Sequence, residues 1–168
     1  MRKQTKGGQK TMRSRTCCFT GHRDIPNQDI PVVMEKTEKY VRELVDRGVR
    51  YFGLGGALGY DTLAAKLMMR LRDEEGLPVK LILVAPFVGF TSRWSPAQQQ
   101  EFEKMLPRYD KVVYVEDHPS RGAYLARDRH LVDGSGYCIA YCTRNTGGTA
   151  YTMNYARKQG LQIYNTGN

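Results

Sequence analysis

The stretch "TGHR" at residues 20–23 brings three residue types that suit anion binding to the end of an apolar run. Gly21 lets backbone N–H groups come close to a ligand, and the guanidinium of Arg23 can hold a phosphate through two parallel hydrogen bonds. His22 either donates a hydrogen bond to a phosphate or is held at the rim by a loop carbonyl. A strand that ends on these residues predicts the rim of an anion site.

A second stretch, "NTGGTAYT" at residues 145–152, fits a phosphate cradle. Gly147 and Gly148 stand before the hydroxyl of Thr149 and a predicted helix, and the N-terminus of a helix favours negative charge. A tight turn between a strand and a helix would use the same two glycines. Both interpretations stay open from the sequence.

The third glycine-rich stretch, "GLGGALGYD" at residues 53–61, contains Gly55, Gly56 and Asp61. It lacks the glycine spacing and the distant acid of a dinucleotide-binding fingerprint, so it is a weak signal for that class. Asp61 either stabilises the start of the following helix, where negative charge is favoured, or belongs to the site, where it contacts a ribose hydroxyl or acts as a base.

Trp94 and Arg127 complete the candidates for ligand contact. Trp94, the only tryptophan, lies in a predicted loop and either stacks on a base or packs that loop against the body. Arg127 follows Tyr124 by about one turn of a predicted helix and is either a solvated charge or part of the site. We assign no catalytic residue from these patterns.

Short apolar runs alternate with longer stretches of helical periodicity along the chain. This alternation predicts an α/β fold, a Rossmann-like three-layer sandwich with a mostly parallel sheet. Ligands bind beyond the carboxyl ends of such strands, so we expect Gly21, Arg23, Gly56 and residues 147–149 to surround one pocket. The predicted strands are residues 16–21, 50–56, 79–87, 111–116, 137–142 and 161–165, and the predicted helices are residues 31–48, 57–76, 95–109, 120–135 and 148–160.

Length and charge narrow the class of protein. The 168 residues suit one domain, residues 16–168, and no apolar run approaches the ~18 residues of a membrane span, so we expect a cytoplasmic protein without membrane contact. Residues 1–15 hold six Lys and Arg and no acid, which leaves only +3 of the formal +9 charge on the rest of the chain. We predict a disordered basic tail, either merely solvated or in weak contact with nucleic acid.

Four cysteines occur as Cys17, Cys18, Cys138 and Cys142, all in strand-like segments. Their spacing does not match a zinc or redox motif, so we interpret them as small buried thiols. We predict no metal site and no cofactor other than a nucleotide ligand.

The motifs occur in a fixed order along the chain: "TGHR", "GGALGYDTLAA", "PF" with Trp94 downstream, and "GGTAYT". As an ordered set from about Thr16 to Tyr164, they resemble the YpsA-like branch of the SLOG superfamily. Its relatives include the cytokinin-activating LOG phosphoribohydrolases and DNA-processing protein A. The resemblance implies a Rossmann-like fold and a site for a nucleotide or a nucleotide-derived ligand.

The comparison with LOG enzymes concerns one carboxylate. In those enzymes an Arg and the Glu of a "PGGxGTxxE" motif serve cleavage of the N-glycosidic bond of a nucleoside monophosphate. Arg127 stands where that Arg would be, but Thr152 occupies the Glu position. A hydroxyl cannot replace a carboxylate that stabilises an oxocarbenium-like sugar or activates water, so the resemblance implies a phosphate site without this chemistry.

We therefore expect a protein that binds a nucleotide or an ADP-ribose-like ligand as a sensor or ligand-binding module. A nucleotide N-glycosidase is one alternative, against which the missing Glu argues. A DNA-binding module like DNA-processing protein A is the other, against which the +3 charge of the body argues, because tracking phosphates needs a concentrated basic surface. Association into a homo-oligomer stays open.

Overall fold

Strands and helices alternate from residue 16 to residue 165 in the computed structural model, which describes residues 12–167. The strands are β1 (Thr16–Gly21), β2 (Tyr51–Leu54), β3 (Lys80–Phe87), β4 (Lys111–Glu116), β5 (Tyr137–Tyr141) and β6 (Gln162–Asn165). The α-helices between and after them are α1 (Ile30–Asp46), α2 (Tyr60–Glu75), α3 (Pro96–Met105), α4 (Ala123–Asp133) and α5 (Gly148–Lys158). Short 3-10 turns lie at Asn27–Asp29 and Leu106–Arg108.

The sheet has the strand order β4-β3-β2-β1-β5-β6, and every pair of neighbouring strands is parallel. The chain builds outward from β1 to β4, then returns to place β5 on the other side of β1. Strand order therefore reverses between β1 and β5, and ligands bind at such a point in open α/β sheets. The predicted α/β class with a parallel sheet is confirmed.

Side chains of β1 alternate between two apolar clusters, one for each face of the sheet. Cys17 and Phe19 pack with α1 and α2 residues such as Leu44. Cys18 packs with the cluster that contains Leu131 of α4 and Met153 of α5. This burial on both faces explains why the apolar residues Cys17, Cys18 and Phe19 follow one another in β1 without alternation with polar ones. All four cysteines are free and buried, which confirms the prediction of buried thiols.

Helix ends follow local sequence signals. The Ser95 hydroxyl accepts a hydrogen bond from the backbone N–H of Gln98 at 3.2 Å, and the Gln98 side chain accepts one from the backbone N–H of Ser95 at 3.1 Å. This capping box, with Pro96 in the first helical position, starts α3 where the Ser-Pro pair predicts it.

Ordered structure is already present before residue 16, inside the tail that the sequence predicts to be disordered. Residues 12–14 are helical, the Thr16 hydroxyl donates to the carbonyl oxygen of Met12 at 2.7 Å, and the carbonyl oxygen of Arg15 accepts from the backbone N–H groups of Arg50 and Tyr51 at 2.8 and 3.0 Å. These bonds extend the pairing of β1 with β2, so residues 12–15 belong to the body. Residues 1–11, the greater part of the predicted tail, lie outside the described residues.

No helix within residues 12–167 is long and apolar enough to cross a membrane.

Candidate functional site

A cavity of about 460 Å³ opens at the carboxyl ends of β1 and β5, where strand order reverses. We call it the switch-point cavity. Nine of the predicted site residues line it: Gly21, His22, Arg23, Asp61, Trp94, Arg127, Gly147, Gly148 and Thr149.

The remaining two predicted residues lie beside this cavity. Gly56 lines a smaller cavity of about 140 Å³, which Asp61 and Trp94 also line. Gly55 lies behind the cavity floor, where its carbonyl oxygen accepts a hydrogen bond from Nη1 of Arg127. A Cβ at Gly55 would lie 3.0 Å from Oδ2 of Asp61. Gly55 thus supports the floor of the site. Gly56 lines the smaller cavity and not the switch-point cavity, in contrast to the expectation that it lies at the same pocket as Gly21.

β1 ends on a glycine because of its neighbour in α2. A Cβ at Gly21 would lie 2.4 Å from Cδ2 and 2.6 Å from Cβ of Tyr60. Tyr60 is fully buried, and its hydroxyl lies 2.7 Å from the hydroxyl of Thr37 in α1. The close approach of a fixed ring therefore requires glycine at the end of this strand.

His22 is a buried, neutral member of the rim. It is 5% exposed, and its Nε2 accepts a hydrogen bond from the backbone N–H of Thr143 at 2.9 Å. Burial lowers the pKa of the imidazole, and the positive charge of Arg144 lowers it further, against the opposing effect of Asp24. The proton of the neutral ring is then on Nδ1, which leaves one N–H donor. The partner of Nε2 is thus a loop N–H, and the two interpretations from sequence, donation to a phosphate or to a loop carbonyl, concern the remaining N–H at Nδ1.

Two arginines stand at the rim with different partners. Arg144 pairs with Asp24 through two contacts of 3.3 Å, and both side chains are largely exposed. The Arg23 side chain is exposed and makes no hydrogen bond or ion pair with residues 12–167. Arg144 was not predicted, and the available signal was its position between β5 and the two glycines. The rim therefore offers one unpaired guanidinium and one that is loosely paired.

The start of α5 presents free backbone donors. Gly147 precedes the helix with φ +94°, which an L-residue rarely adopts, and no side chain caps the helix. Gly148 is different, because its φ is not positive and, apart from its chain neighbours and its own helix backbone, no atom of residues 12–167 lies within 4 Å of where its Cβ would be. A tight turn explains Gly147, whereas neither the turn nor protein packing requires glycine at position 148.

The cavity floor carries two carboxylates and a buried guanidinium. Arg127 is 6% exposed, and its Nε donates to Oδ1 of Asp128 at 2.6 Å. Its guanidinium also lies 5.8 Å from the ring centre of Tyr124. Arg127 is thus a buried, paired group of the floor and not a solvated helix charge. Asp128 was not predicted, although it directly follows Arg127.

Asp61 is the second carboxylate of the floor. It is 6% exposed, and its Oδ2 accepts a hydrogen bond from the backbone N–H of Ala57 at 3.3 Å. Its Oδ1 is buried and has no hydrogen-bond partner among the described residues. Burial raises the pKa of this carboxyl group, the positive charge of Arg127 lowers it, Asp128 raises it and the hydrogen bond from Ala57 lowers it, with a net pKa of about 7.

Aromatic side chains form one wall of the cavity, which we call the aromatic wall. Trp94 packs edge-on against Phe90, with ring centres 5.5 Å apart, and against Phe102 at 5.8 Å. Trp94, Phe90 and Tyr124 also line the switch-point cavity. Trp94 therefore packs its loop and lines the cavity, so the two interpretations from sequence are compatible.

A groove of about 590 Å³ adjoins the cavity. It shares Arg23, Phe90, Trp94 and Tyr124 with the switch-point cavity and adds Arg93. The groove therefore extends the space next to the switch-point cavity and adds one more arginine, Arg93, to those that line it.

Within residues 12–167, no group of three or more His, Cys, Asp or Glu side chains is placed to hold a metal ion. The chemistry that this geometry supports is recognition of a phosphorylated, partly aromatic molecule.

A profile of the YpsA SLOG family matches residues 18–165. The chain belongs to the YpsA SLOG family. This membership confirms the resemblance seen in the ordered motifs, which the profile covers from the middle of β1 to the end of β6.

Similar proteins carry the UPF0398 name. A UPF0398 protein of Oceanobacillus iheyensis is 29% identical over 112 residues, which is 66% of this chain and 60% of that protein. A UPF0398 protein of Halalkalibacterium halodurans is 24% identical over 139 residues, 81% of this chain and 73% of that protein. The match to the Oceanobacillus protein thus spans less than two thirds of its length.

Two solved structures share the fold. DNA processing protein A from Helicobacter pylori, a protein with a single-stranded DNA binding mode, has a TM-score of 0.60 at 19% identity over 92% of this chain and 66% of that chain. DNA processing protein A from Streptococcus pneumoniae has a TM-score of 0.63 at 16% identity over 93% of this chain and 51% of that chain. At these identities the likeness shows a shared fold.

Proposed function

We propose that this YpsA SLOG protein binds a nucleotide or a nucleotide-derived, ADP-ribose-like ligand in the switch-point cavity, as a sensor or ligand-binding module. The observation that carries the proposal is the open space beside Gly148 at an uncapped helix start. The first backbone N–H groups of such a helix point at a ligand and favour negative charge.

The charges at the rim support a phosphate in this position. Arg23 has no partner among the described residues, so its guanidinium is free to form two hydrogen bonds with phosphate oxygens. The Thr149 side chain also lines the cavity, and its hydroxyl is a further donor. The permanent positive charge of Arg23 and the backbone N–H dipoles at the start of α5 would both stabilise a bound anion here.

The aromatic wall of the cavity supports binding of a nucleotide base. Phe90, Trp94 and Tyr124 present aromatic rings to the cavity, and base–aromatic stacking contributes about 1–3 kcal/mol per base. The adjoining groove with Arg93 gives room for a second phosphorylated unit, which favours an ADP-ribose-like ligand over a mononucleotide alone.

A nucleotide N-glycosidase is the second candidate. The Oδ2 atom of Asp128 lies 3.1 Å from the hydroxyl of Thr152, so a carboxylate does approach the position where the LOG motif has Glu. We place this candidate second because both oxygens of Asp128 already have partners.

Isothermal titration calorimetry on the full chain tests the proposed function. AMP, ADP-ribose and NAD serve as ligands, and adenosine serves as the phosphate-free comparison. We expect binding of at least one phosphorylated ligand and about tenfold weaker binding or more for Arg23→Ala, since hydrogen bonds to charged groups contribute about 1.5–3 kcal/mol.

Arg47→Ala is the matched control, because Arg47 follows α1 at the other edge of the sheet and donates to the hydroxyl of Tyr164. It removes the same charge and should leave ligand affinity unchanged. Equal affinity for AMP and adenosine, or equal loss in both variants, would contradict a phosphate site at the rim.

A further inference from the structure

A buried carboxylate oxygen at the floor of the switch-point cavity has no hydrogen-bond donor. Oδ1 of Asp61 is buried and unpartnered among the described residues, while Oδ2 has one long bond of 3.3 Å to the N–H of Ala57. Leaving such a group without hydrogen bonds is costly for a folded protein. A group retained at this cost in a cavity is a candidate for contact with a ligand.

The neighbouring guanidinium does not supply the missing bond. Arg127 donates from Nε to Asp128 and from Nη1 to the carbonyl oxygen of Gly55. Its positive charge favours the ionised form of Asp61, but its hydrogen bonds are directed elsewhere. No donor among the described residues therefore serves Oδ1, and a molecule in the cavity can supply one.

A chain of contacts places Asp61 relative to the start of α5. The hydroxyl of Thr152 lies 2.9 Å from the carbonyl oxygen of Gly148 and 3.1 Å from Oδ2 of Asp128. Arg127 joins Asp128 to Gly55, and Gly55 contacts Asp61. This chain of contacts joins the start of α5 to Asp61, and Asp61 also shares the smaller cavity with Trp94 of the aromatic wall.

In a nucleotide, the sugar occupies the place between the phosphate and the base. With a phosphate at the start of α5 and a base against Trp94 and Phe90, the sugar would lie over the floor. The donors that a sugar carries are its hydroxyl groups.

We infer that Asp61 accepts a hydrogen bond from a ribose hydroxyl, so that this site selects ribonucleotides over deoxyribonucleotides. The inference rests on the proposed function and deepens it. Single-stranded DNA lacks the 2′-hydroxyl and has its 3′-oxygens esterified, so it brings no sugar donor to Oδ1 except at its 3′ end. A free ribonucleotide or an ADP-ribose-like ligand supplies a hydroxyl donor to Oδ1 of Asp61, whereas a DNA strand does not.

The experiment compares matched ligands by calorimetry on the full chain at pH 8. AMP, 2′-deoxy-AMP and 3′-deoxy-AMP differ only in sugar hydroxyls, and IMP lacks the amino group of adenine. We expect at least one deoxy form to bind about tenfold to a hundredfold more weakly than AMP, while IMP binds like AMP. If IMP binds more weakly than AMP while both deoxy forms bind like AMP, Oδ1 contacts the base and the ribose assignment is overturned.

Two variants connect the discrimination to the carboxylate. Asp61→Ala should bind AMP and the deoxy forms within about twofold of each other, while Asp61→Asn, whose amide oxygen still accepts a hydrogen bond, should keep part of the preference for AMP. Asp117→Asn is the matched control, since Asp117 is exposed beyond the end of β4 and does not line the cavity. It should keep the preference for AMP. Melting curves of all three variants confirm that each is folded before affinities are compared.

The outcome also separates this inference from the proposed function. If the wild-type protein binds AMP and both deoxy forms equally, and adenosine more weakly, the phosphate site stands and the role of Asp61 is overturned. If none of the phosphorylated ligands binds, including ADP-ribose and the 5′-monophosphates of guanosine, cytidine and uridine, both are overturned.

Discussion

The Oδ2 atom of Asp128 lies 3.1 Å from the Oγ1 atom of Thr152, so a carboxylate from α4 stands beside the α5 position at which the LOG motif carries a Glu. Oδ1 of the same carboxylate accepts a hydrogen bond from Nε of Arg127 at 2.6 Å. Both oxygens are held by protein partners. General acid–base catalysis needs a group within hydrogen-bond reach of the reacting atoms, and this carboxylate is directed into the floor.

We therefore expect ligand binding without cleavage of the N-glycosidic bond. Incubation with AMP and with NAD, followed by chromatography for free adenine or nicotinamide, should show release far below the ~10 s⁻¹ of a median enzyme. Turnover that Asp128→Asn abolishes would instead establish the N-glycosidase. Turnover that survives in Asp128→Asn and is lost in Asp61→Asn would assign the reaction to Asp61.

Replacing Gly148 separates ligand binding from folding. Nothing lies within 4 Å of a Cβ at this position, and its φ is not positive, so Gly148→Ala should leave the melting temperature unchanged or slightly higher. The added methyl group would occupy space beside the helix start, and we expect nucleotide affinity to fall about tenfold. Calorimetry and melting curves measure both effects.

Gly134→Ala is the control for this substitution. Gly134 follows α4, and its Cβ would make only ordinary contact, 3.7 Å from the carbonyl oxygen of His130. It should change neither melting nor binding. Full nucleotide affinity in Gly148→Ala would show that no ligand uses the open space.

Gly21→Ala should destabilise the protein, in contrast to Gly148→Ala. The new methyl group would lie 2.6 Å from Cβ of Tyr60, which cannot move away by rotation of the ring. Overpacking of this kind costs about 1–3 kcal/mol, which denaturant unfolding would detect as a lower midpoint. Gly122→Ala, where no atom lies within 4 Å, should keep the wild-type midpoint. An unchanged midpoint in Gly21→Ala would show that α2 can shift away from β1.

The fold and the meeting of the glycine motifs could be predicted from the sequence because both follow from local periodicity. β1 and β4 begin and end at the predicted residues, since each is an apolar or β-prone run between turn residues. The carboxyl ends of parallel strands share one edge, which brings residues 21–23 and 147–149 to one cavity. That these residues share one cavity, and not only one edge, also depends on β5 lying next to β1, which local periodicity does not predict.

Pairing across elements could not be predicted, because it depends on strand order and on side-chain direction. The contact of Arg144 with Asp24 exists only because β5 lies next to β1. The direction of Asp128 into the floor depends on how α4 packs against α5. Residues 12–15 lack an apolar pattern that would predict their structure. Backbone hydrogen bonds join Arg15 to the start of β2, and side-chain types do not reveal such bonds.

Asp61→Asn should stabilise the protein, and more strongly at high pH. The pKa of Asp61 is about 7 in the folded protein, against an ordinary value of 3.8. Between these two values the folded protein holds a proton that the unfolded chain has lost, so the free energy of unfolding falls as pH rises from about 4 to about 7. Asparagine removes this penalty because it carries no charge to bury.

The charged and titratable groups near Asp61 do not reverse this sign. The pKa values of Tyr109 and Cys138 are raised, in each case with a contribution from the charge of Asp61, so neither group ionises in this range. The positive charge of Arg127 lowers the pKa of Asp61 and is already included in the value of about 7. Asp128 on α4 raises the pKa of Asp61, in the same direction as burial. His22 titrates in both the wild type and the variant, so its effect cancels in the difference.

The measurement is urea unfolding of the wild type and Asp61→Asn at pH 5 and pH 8, without ligand. A difference of about three pH units between the two pKa values corresponds to at most about 4 kcal/mol at pH 8, and to less than half of that at pH 5. Asp117→Asn, which removes an exposed carboxylate, should show no gain that grows with pH. If Asp61→Asn is less stable than the wild type at pH 8, a protein donor or Arg127 holds Asp61 strongly enough to favour its ionised form. That result would contradict the assignment of a ligand hydroxyl to Oδ1.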